Sequence, residues 1–286
     1  MKKPILISAA CVALSMLLLF LSFQSAPKRE AATADVYGLV IQSDTGTFVM
    51  QLQKGMQQAA NELGVRLSVC GPQELEQLAG AAGAALWLEE PGEAAEKLDD
   101  MGVPVAVVGK SLSNHLSVRG DDSSAGKQLI SYGLKQSEPQ RVLLLLDDED
   151  VRATMRSRAA ATIARERSAL VMEYQPDMEL PEACDVVVTT STRATKDMAE
   201  RKRNGSYTGL VLGVDTGDSR VPDLEDGLVS AMALDSPYAM GYLALYRVQT
   251  LATEGSADNA LTDVLLATPQ NMYLSENVKQ VFPLLQ

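Results

Sequence analysis

The sequence has few of the residues on which most catalytic and metal sites depend. Its 286 residues include one histidine (His115), three cysteines and one tryptophan. A Ser–His–Asp triad would have to use His115, which lies in a polar loop sequence, and no Cys/His spacing of a metal site is present. A glycine-rich phosphate loop, an H-E-x-x-H motif and a G-x-S-x-G motif are also missing. The sequence therefore offers no support for an enzyme, and we expect no cofactor.

Basic residues are scarce as well. Lys and Arg number 25 against 37 Asp and Glu, so the formal net charge is −12. The segment up to Glu30 carries +3, which leaves −15 on the remainder of the chain. A body with this charge is repelled by nucleic acid and by anionic lipid surfaces. We therefore exclude nucleic acid as a partner.

Charge is absent from a long stretch near the N-terminus. Residues 4–23 form a 20-residue apolar run, which is the length that a helix needs to cross a bilayer. Lys2 and Lys3 precede the run, and this bias places the N-terminus in the cytoplasm and the rest of the chain outside. We interpret 1–34 as an uncleaved signal anchor followed by a polar tether. The protein is then a single-pass cell-membrane protein with an extracytoplasmic domain, in contact with the lipid bilayer through 4–23.

Two other interpretations of this run stay open. A signal peptide cleaved after 24–26 or 32–34 would release a secreted protein, although the second of these sites lies about ten residues late. A lipoprotein would use Cys11, but most of the apolar run follows that cysteine. The other two cysteines, Cys70 and Cys184, stand at strand-like positions and are expected to be free thiols.

After the tether, apolar strand-like runs alternate with helical patterns, which is typical of parallel α/β layers. The predicted strands are 36–41, 65–69, 84–88, 104–108, 142–146, 170–174, 186–188, 210–214, 228–233 and 264–267. The predicted helices are 48–63, 92–101, 123–135, 152–167, 193–203 and 237–254, with a short helix at the C-terminus.

Ligands in open α/β sheets bind outside the carboxyl ends of the strands. The polar or aromatic residues that follow predicted strands are therefore candidates: Gln42, Ser43, Asp44, Phe48, Glu89, Glu90, Lys110, Asp147, Asp148, Arg156, Ser191, Arg193 and Asp215. Such a set suits a small hydroxylated or charged ligand better than an apolar one. Trp87 is interpreted as a core residue in the middle of the third strand.

Several segments, in their order along the chain, resemble the type I periplasmic sugar-binding proteins, the family shared with ribose-binding proteins and the effector domains of lactose-repressor-type regulators. The matching segments are 36–69, 103–108, 118–126, 156–158, 212–215, 231–241 and 268–278. The resemblance implies an α/β fold of two Rossmann-like lobes with parallel sheets, joined by a three-strand hinge and preceded here by an N-terminal transmembrane helix. Lobe one would be 36–119 plus 235–262, and lobe two 120–234 plus 263–286, with crossovers near 119, 235 and 263.

The resemblance also selects ligand residues. Phe48 matches an aromatic that stacks on the sugar, Arg156 and Asp215 match ligand-contacting residues, and Asp235 stands where relatives often have a hinge glutamine. With the residues chosen by strand position, the expected ligand-binding set is Asp44, Phe48, Glu89, Lys110, Arg156, Ser191, Asp215 and Asp235.

The sequence also departs from the family. Gly109-Lys110 and Ser191-Thr192 replace an expected Asp-Arg and Asn-Asp. Loss of the Asp-Arg clamp removes strong charge-assisted hydrogen bonds to sugar hydroxyls.

These observations predict an extracytoplasmic protein that binds a small polar ligand, a sugar or related polyol, and serves an ABC-type importer through a membrane permease. One alternative is an extracellular sensor whose partner is a two-component sensor kinase. Another is a degenerate or enzymatic member of the α/β scaffold.

Overall fold

The computed structural model describes residues 34–42, 46–137, 141–146, 152–174, 184–215 and 221–282. The chain divides into a unit Met1–Ala34 and a unit Asp35–Gln286. Apart from Ala34, the described residues belong to the second unit, so the expected anchor at 4–23 lies outside them. Within the described ranges, no helix is both long and apolar enough to cross a membrane.

The first sheet contains six strands, all parallel to their neighbours. Its strands are β1 (Val36–Ile41), β2 (Arg66–Cys70), β3 (Gly83–Trp87), β4 (Val105–Val108), β5 (Leu116–Gly120) and β11 (Ala260–Thr262), in the order β11-β5-β4-β3-β1-β2. The helices of this lobe are α1 (Thr47–Leu63), α2 (Gly92–Asp100) and α7 (Pro237–Glu254), with a 3₁₀ turn at Leu75–Leu78.

The second sheet repeats this design with one change, because its last strand is antiparallel to its neighbour. Its strands are β6 (Arg141–Leu145), β7 (Leu170–Tyr174), β8 (Val186–Thr189), β9 (Leu210–Asp215), β10 (Ala231–Leu234) and β12 (Leu265–Ala267), in the order β12-β10-β9-β8-β6-β7. The helices of this lobe are α3 (Asp122–Gln136), α4 (Ala153–Glu166), α5 (Thr192–Arg203), α6 (Val221–Glu225) and α8 (Ser275–Val281).

Each sheet is buried on both faces. In the first lobe one core forms around Leu39, Leu52 and Met56, and another around Val40 and Leu86. The second lobe likewise has two cores. Burial on both faces explains why the central strands are nearly continuous apolar runs rather than alternating ones. The predicted α/β class with parallel sheets is therefore confirmed.

The chain passes between the two sheets three times. The first crossover is Asp121, between β5 and α3; the second is 235–236, between β10 and α7; the third is 263–264, between β11 and β12. All three leave the carboxyl end of a strand, so the carboxyl edges of both sheets meet at the crossovers. This edge is where the fold places a ligand.

Some elements differ from the prediction. Strands β5 and β11 were not predicted, because β5 carries the polar Ser117 and Arg119 and β11 has only three residues. Strand β10 begins at Ala231 rather than Leu228, since the chain is still in a turn after Gly227, which has a φ of 69°. Cys70 and Cys184 are free thiols, as predicted.

Candidate functional site

An aromatic pair lies at the carboxyl edge of the first sheet. Phe48 is the second residue of α1, and Trp87 is the last residue of β3. Their rings are stacked, with 5.1 Å between centroids and 26° between planes. Both are half-buried against the first-lobe core. Trp87 is therefore at the end of its strand and partly accessible, which corrects its interpretation as a mid-strand core residue.

Polar groups follow the strands at the same edge of the sheet. The backbone N–H of Glu89 donates to Gln42 Oε1 at 3.4 Å, and Lys110 Nζ donates to the Glu89 carbonyl. Gly109 has a φ of 80° and lies against Trp87, where an added Cβ would be 3.8 Å from Trp87 Nε1. This left-handed backbone conformation favours glycine.

The second group of charged residues is a buried cluster at the crossovers, which we call the hinge ion-pair cluster. Its members are Arg119, Asp122, Arg152, Arg156 and Asp235. The carboxylate of Asp122 is fully buried and accepts from three arginines: from Arg152 Nε at 2.8 Å, Arg156 Nε at 2.9 Å and Arg119 Nη1 at 3.3 Å. Asp122 is also the first residue of α3, where the helix dipole favours a negative charge.

Arg152 extends the cluster to the second crossover. Its Nη1 and Nη2 donate to the two carboxylate oxygens of Asp235 at 2.7 and 3.0 Å, a bidentate arrangement. Burial alone would lower the pKa of the Arg152 guanidinium, but the Asp235 and Asp122 carboxylates outweigh that effect and raise the pKa above its ordinary value. Arg152 is therefore charged at neutral pH.

Arg156 and Ser191 have structural contacts of their own. Arg156 is 3% exposed, and its Nη1 donates to the Thr190 carbonyl at 2.6 Å. Ser191 is the N-cap of α5, where its Oγ accepts from the Ala194 N–H at 3.1 Å. A serine cap is favourable at this position, and it replaces the asparagine of the family pattern.

The structure thus distributes the predicted ligand residues over two groups. Phe48, Glu89 and Lys110 lie at the first-lobe edge. Arg156, Ser191, Asp215 and Asp235 lie at the second-lobe edge or the crossovers; Asp215 ends β9 and is 2% exposed. Asp44 is outside the described residues. The ligand-binding roles of all eight stay predictions.

Sequence reasoning missed Asp122 and Arg152. Applying the carboxyl-end rule to β5 would have selected Asp122, but β5 was not recognised as a strand. Arg152 follows β6 along the chain, just before α4, and no local pattern marks it.

In the described part of the chain, no group of three or more His, Cys, Asp or Glu residues is arranged to hold a metal ion.

No protein-family model matches the sequence, and no curated protein matches it. Solved structures do match. GanP, a glucose-galactose binding protein from Geobacillus stearothermophilus, is 16% identical with a TM-score of 0.68, covering 84% of this chain and 99% of GanP. AraP, an arabinose binding protein from the same organism, is 17% identical with a TM-score of 0.71, covering 83% and 98%. XylFII, in a complex with LytSN, is 16% identical with a TM-score of 0.63, covering 83% and 99%.

At these identities the likeness establishes the fold. The chain has the fold of the type I periplasmic sugar-binding proteins, and the resemblance predicted from the sequence is confirmed at that level. The similar regions cover nearly the full length of each of those chains, so both lobes are included.

Proposed function

We propose that the protein binds a small polar ligand of the sugar or polyol class between the carboxyl edges of its two lobes. The observation that carries this proposal is the stacked Phe48–Trp87 pair at the end of β3 and the start of α1. A flat, partly accessible aromatic surface can cover the C–H face of a sugar ring, and burial of that face is favourable.

The surroundings of the pair suit the hydroxyl groups of such a ligand. We propose that Gln42 and Lys110, which follow β1 and β4, offer an amide and an ammonium from the first lobe, and that Asp215, at the end of β9, offers a carboxylate from the second. A binding site that is mostly apolar with a few converging polar groups is the usual composition for small-molecule recognition. Closure of the lobes around the ligand would bring the two sets together.

The fold neighbours support the ligand class. GanP and AraP are named as glucose-galactose and arabinose binding proteins. We further propose that residues 4–23 anchor the chain in the cell membrane, so that the domain works outside the cytoplasm and delivers its ligand to the permease of an ABC-type importer.

A second candidate function is ligand sensing through a membrane sensor kinase. The fold likeness to XylFII, which forms a complex with LytSN, favours it. Reconstitution separates the two candidates: an importer partner hydrolyses more ATP when the liganded protein is added, whereas a sensor-kinase partner changes its autophosphorylation.

A thermal-shift screen of sugars, polyols and nucleosides against the 35–286 unit tests the ligand class. A ligand at about 100 times its Kd stabilises the native state by about 2.7 kcal/mol, which raises Tm by roughly 5–11 °C for a unit of this size. Trp87→Ala should abolish the rise, while Tyr242→Ala, an aromatic truncation on α7, should retain it. A screen in which no compound raises Tm for the native chain would refute the proposal.

A further inference from the structure

The hinge ion-pair cluster runs without a break from the first lobe to the second crossover. Arg119, in β5 of the first lobe, donates to Asp122, the first residue of α3 in the second lobe. Asp122 accepts from Arg152, and Arg152 holds both carboxylate oxygens of Asp235. Arg119 Nη1 also lies 3.6 Å from Met155 Sδ in α4, a second contact from lobe to lobe.

The backbone of the first crossover is shaped to admit the Arg152–Asp235 pair. A Cβ added to Gly120 would lie 2.1 Å from Asp235 Oδ1 and 2.8 Å from Arg152 Nη2. A larger residue at the end of β5 would therefore have to displace the Arg152–Asp235 pair, and Gly120 leaves room for it.

The crossovers are also joined by neutral hydrogen bonds. Gln280 Nε2, from α8, donates to the carbonyls of Leu234 and Asp235, both at 3.0 Å. The Asp121 N–H donates to the Thr262 carbonyl at 3.0 Å, which links the first crossover to the end of β11. These bonds add to the Arg119–Asp122 and Arg152–Asp235 ion pairs, which connect the first and second crossovers through charge.

Relative motion of two lobes requires dihedral changes in the segments that connect them. The side chains of Arg152, Asp235 and Asp122 are 13%, 5% and 0% exposed, so water cannot easily replace their contacts. Removing one partner of such a pair leaves a buried, uncompensated charge. A planar, bidentate guanidinium contact also restricts orientation more than a single point contact does.

We propose that Arg152 is a hinge latch, a positioning residue that holds the first and second crossovers in one geometry and so sets the angle between the lobes in the unliganded protein. Asp235 then serves the hinge, with both of its carboxylate oxygens engaged by Arg152. The latch concerns the chain without ligand and does not rest on the proposed sugar binding.

Distances between spin labels on the two lobes test the latch in the full-length chain, solubilised in detergent and without added ligand. Labels are placed at Gln53→Cys in α1 and Lys196→Cys in α5, two exposed positions, after Cys11, Cys70 and Cys184 are replaced by alanine. The parent should give one narrow distance population. Arg152→Met should broaden or shift it, and Asp235→Asn, which removes the charge and keeps the shape, should do the same.

The matched control is Arg158→Met, at an exposed arginine in α4, the helix that Arg152 precedes, and it should leave the distribution unchanged. If Arg152→Met does not fold, because it leaves two buried carboxylates, the double variant Arg152→Met/Asp235→Met removes one of those charges and is measured instead. A native, narrow distribution in Asp235→Asn and in whichever Arg152 variant folds would overturn the latch. That result would leave the ligand-binding proposal untouched, since no ligand is present.

Discussion

Arg156 has structural contacts in addition to the ligand-binding role that is predicted from the sequence. The family resemblance places it against a ligand, whereas the structure buries its guanidinium between the Asp122 carboxylate and the Thr190 carbonyl. A ligand contact and a structural ion pair can coexist on one guanidinium, because it has five N–H donors. Loss of binding in an Arg156 variant is therefore informative only when stability is measured as well.

Arg156→Ala should lower the free energy of unfolding by about 3 kcal/mol, because it breaks a buried ion pair and leaves the Thr190 carbonyl without its donor. The expected fall in Tm is roughly 6–12 °C in calorimetry of the 35–286 unit. Arg158→Ala, an exposed position two residues along the same helix, should change stability by less than about 0.5 kcal/mol. Equal stability of the two variants would show that the Arg156 contacts contribute little.

The members of the hinge ion-pair cluster could be predicted from the sequence only in part. The position after a predicted strand selected Arg156, and the resemblance to the sugar-binding proteins selected Asp235. The residue that joins Asp122 to Asp235 is Arg152, which is 30 residues from the first and 83 from the second along the chain. Pairings over such separations depend on the folded arrangement of β5, β6 and β10, and no local pattern encodes them.

The contact between α1 and α7 depends on two glycines. A Cβ on Gly55 would lie 1.9 Å from the Tyr238 carbonyl oxygen, and one on Gly241 would lie 2.0 Å from the Leu52 carbonyl oxygen. The two helix backbones therefore touch at this crossing. Both of the contacting atoms are backbone carbonyl oxygens, which cannot move aside as the end of a flexible side chain can. Together these helices cover one face of the first sheet and form its core.

Gly241→Ala should force the two helices apart and lower the free energy of unfolding by about 2 kcal/mol, a typical cost of overpacking. Gly92 is the first residue of α2 and has open space around its Cα. Gly92→Ala should therefore be neutral or stabilising by up to about 1 kcal/mol. Chemical denaturation of both variants measures the difference, and a Gly241→Ala protein as stable as the native one would contradict the close approach.

Glu62 links α1 to α7 through hydrogen bonds on the exposed side of the two helices. Tyr242 and Tyr246 of α7 both donate to Glu62 Oε2, at 2.6 and 3.0 Å. Hydrogen bonds from Tyr242, Gln58 and Tyr246 lower the pKa of the Glu62 carboxyl below its ordinary value of 4.5. Because the pKa of Glu62 is lower in the folded state, the contact stabilises the fold fully at pH values above the unfolded-state pKa. This stabilisation is lost as the pH falls through the folded-state pKa.

The Tm difference between the native chain and Glu62→Gln should consequently be largest at neutral pH and should vanish on acidification to well below 4.5. Glu96→Gln, at an exposed position in α2, is the control. The Tm difference between the native chain and Glu96→Gln should not disappear on acidification in this way. A Tm difference for Glu62→Gln that stays constant across the acid range would contradict the proposed contact.

At the level of elements, the alternation of apolar strands and amphipathic helices was sufficient to predict the parallel α/β class. The long helix from Pro237 is a clear case, since a proline at its first position and Gly255 with a φ of 75° after its last residue mark both ends. Strand β5 was not predicted, because Ser117 is buried and Arg119 is partly buried only in the folded arrangement. The short β11 depends likewise on pairing with β5.

For the molecule as a whole, the fold is established, whereas the ligand class is a proposal. The two-lobed architecture follows from the sheet topology and from its likeness to sugar-binding proteins. The acidic surplus argues against nucleic acid as a partner but does not select a ligand. The aromatic pair defines the candidate site more narrowly than composition does, because it places a partly accessible apolar surface at the carboxyl edge of the first sheet.

The single tryptophan of the chain offers the most direct test of ligand binding at this site. Trp87 is stacked on Phe48 at the carboxyl edge of the first sheet, so its emission should report a ligand placed there and little else. Titration of the native chain with a sugar that raises Tm should give a saturable change in tryptophan fluorescence. A sugar that raises Tm without any change in that fluorescence would contradict binding at the Phe48–Trp87 pair.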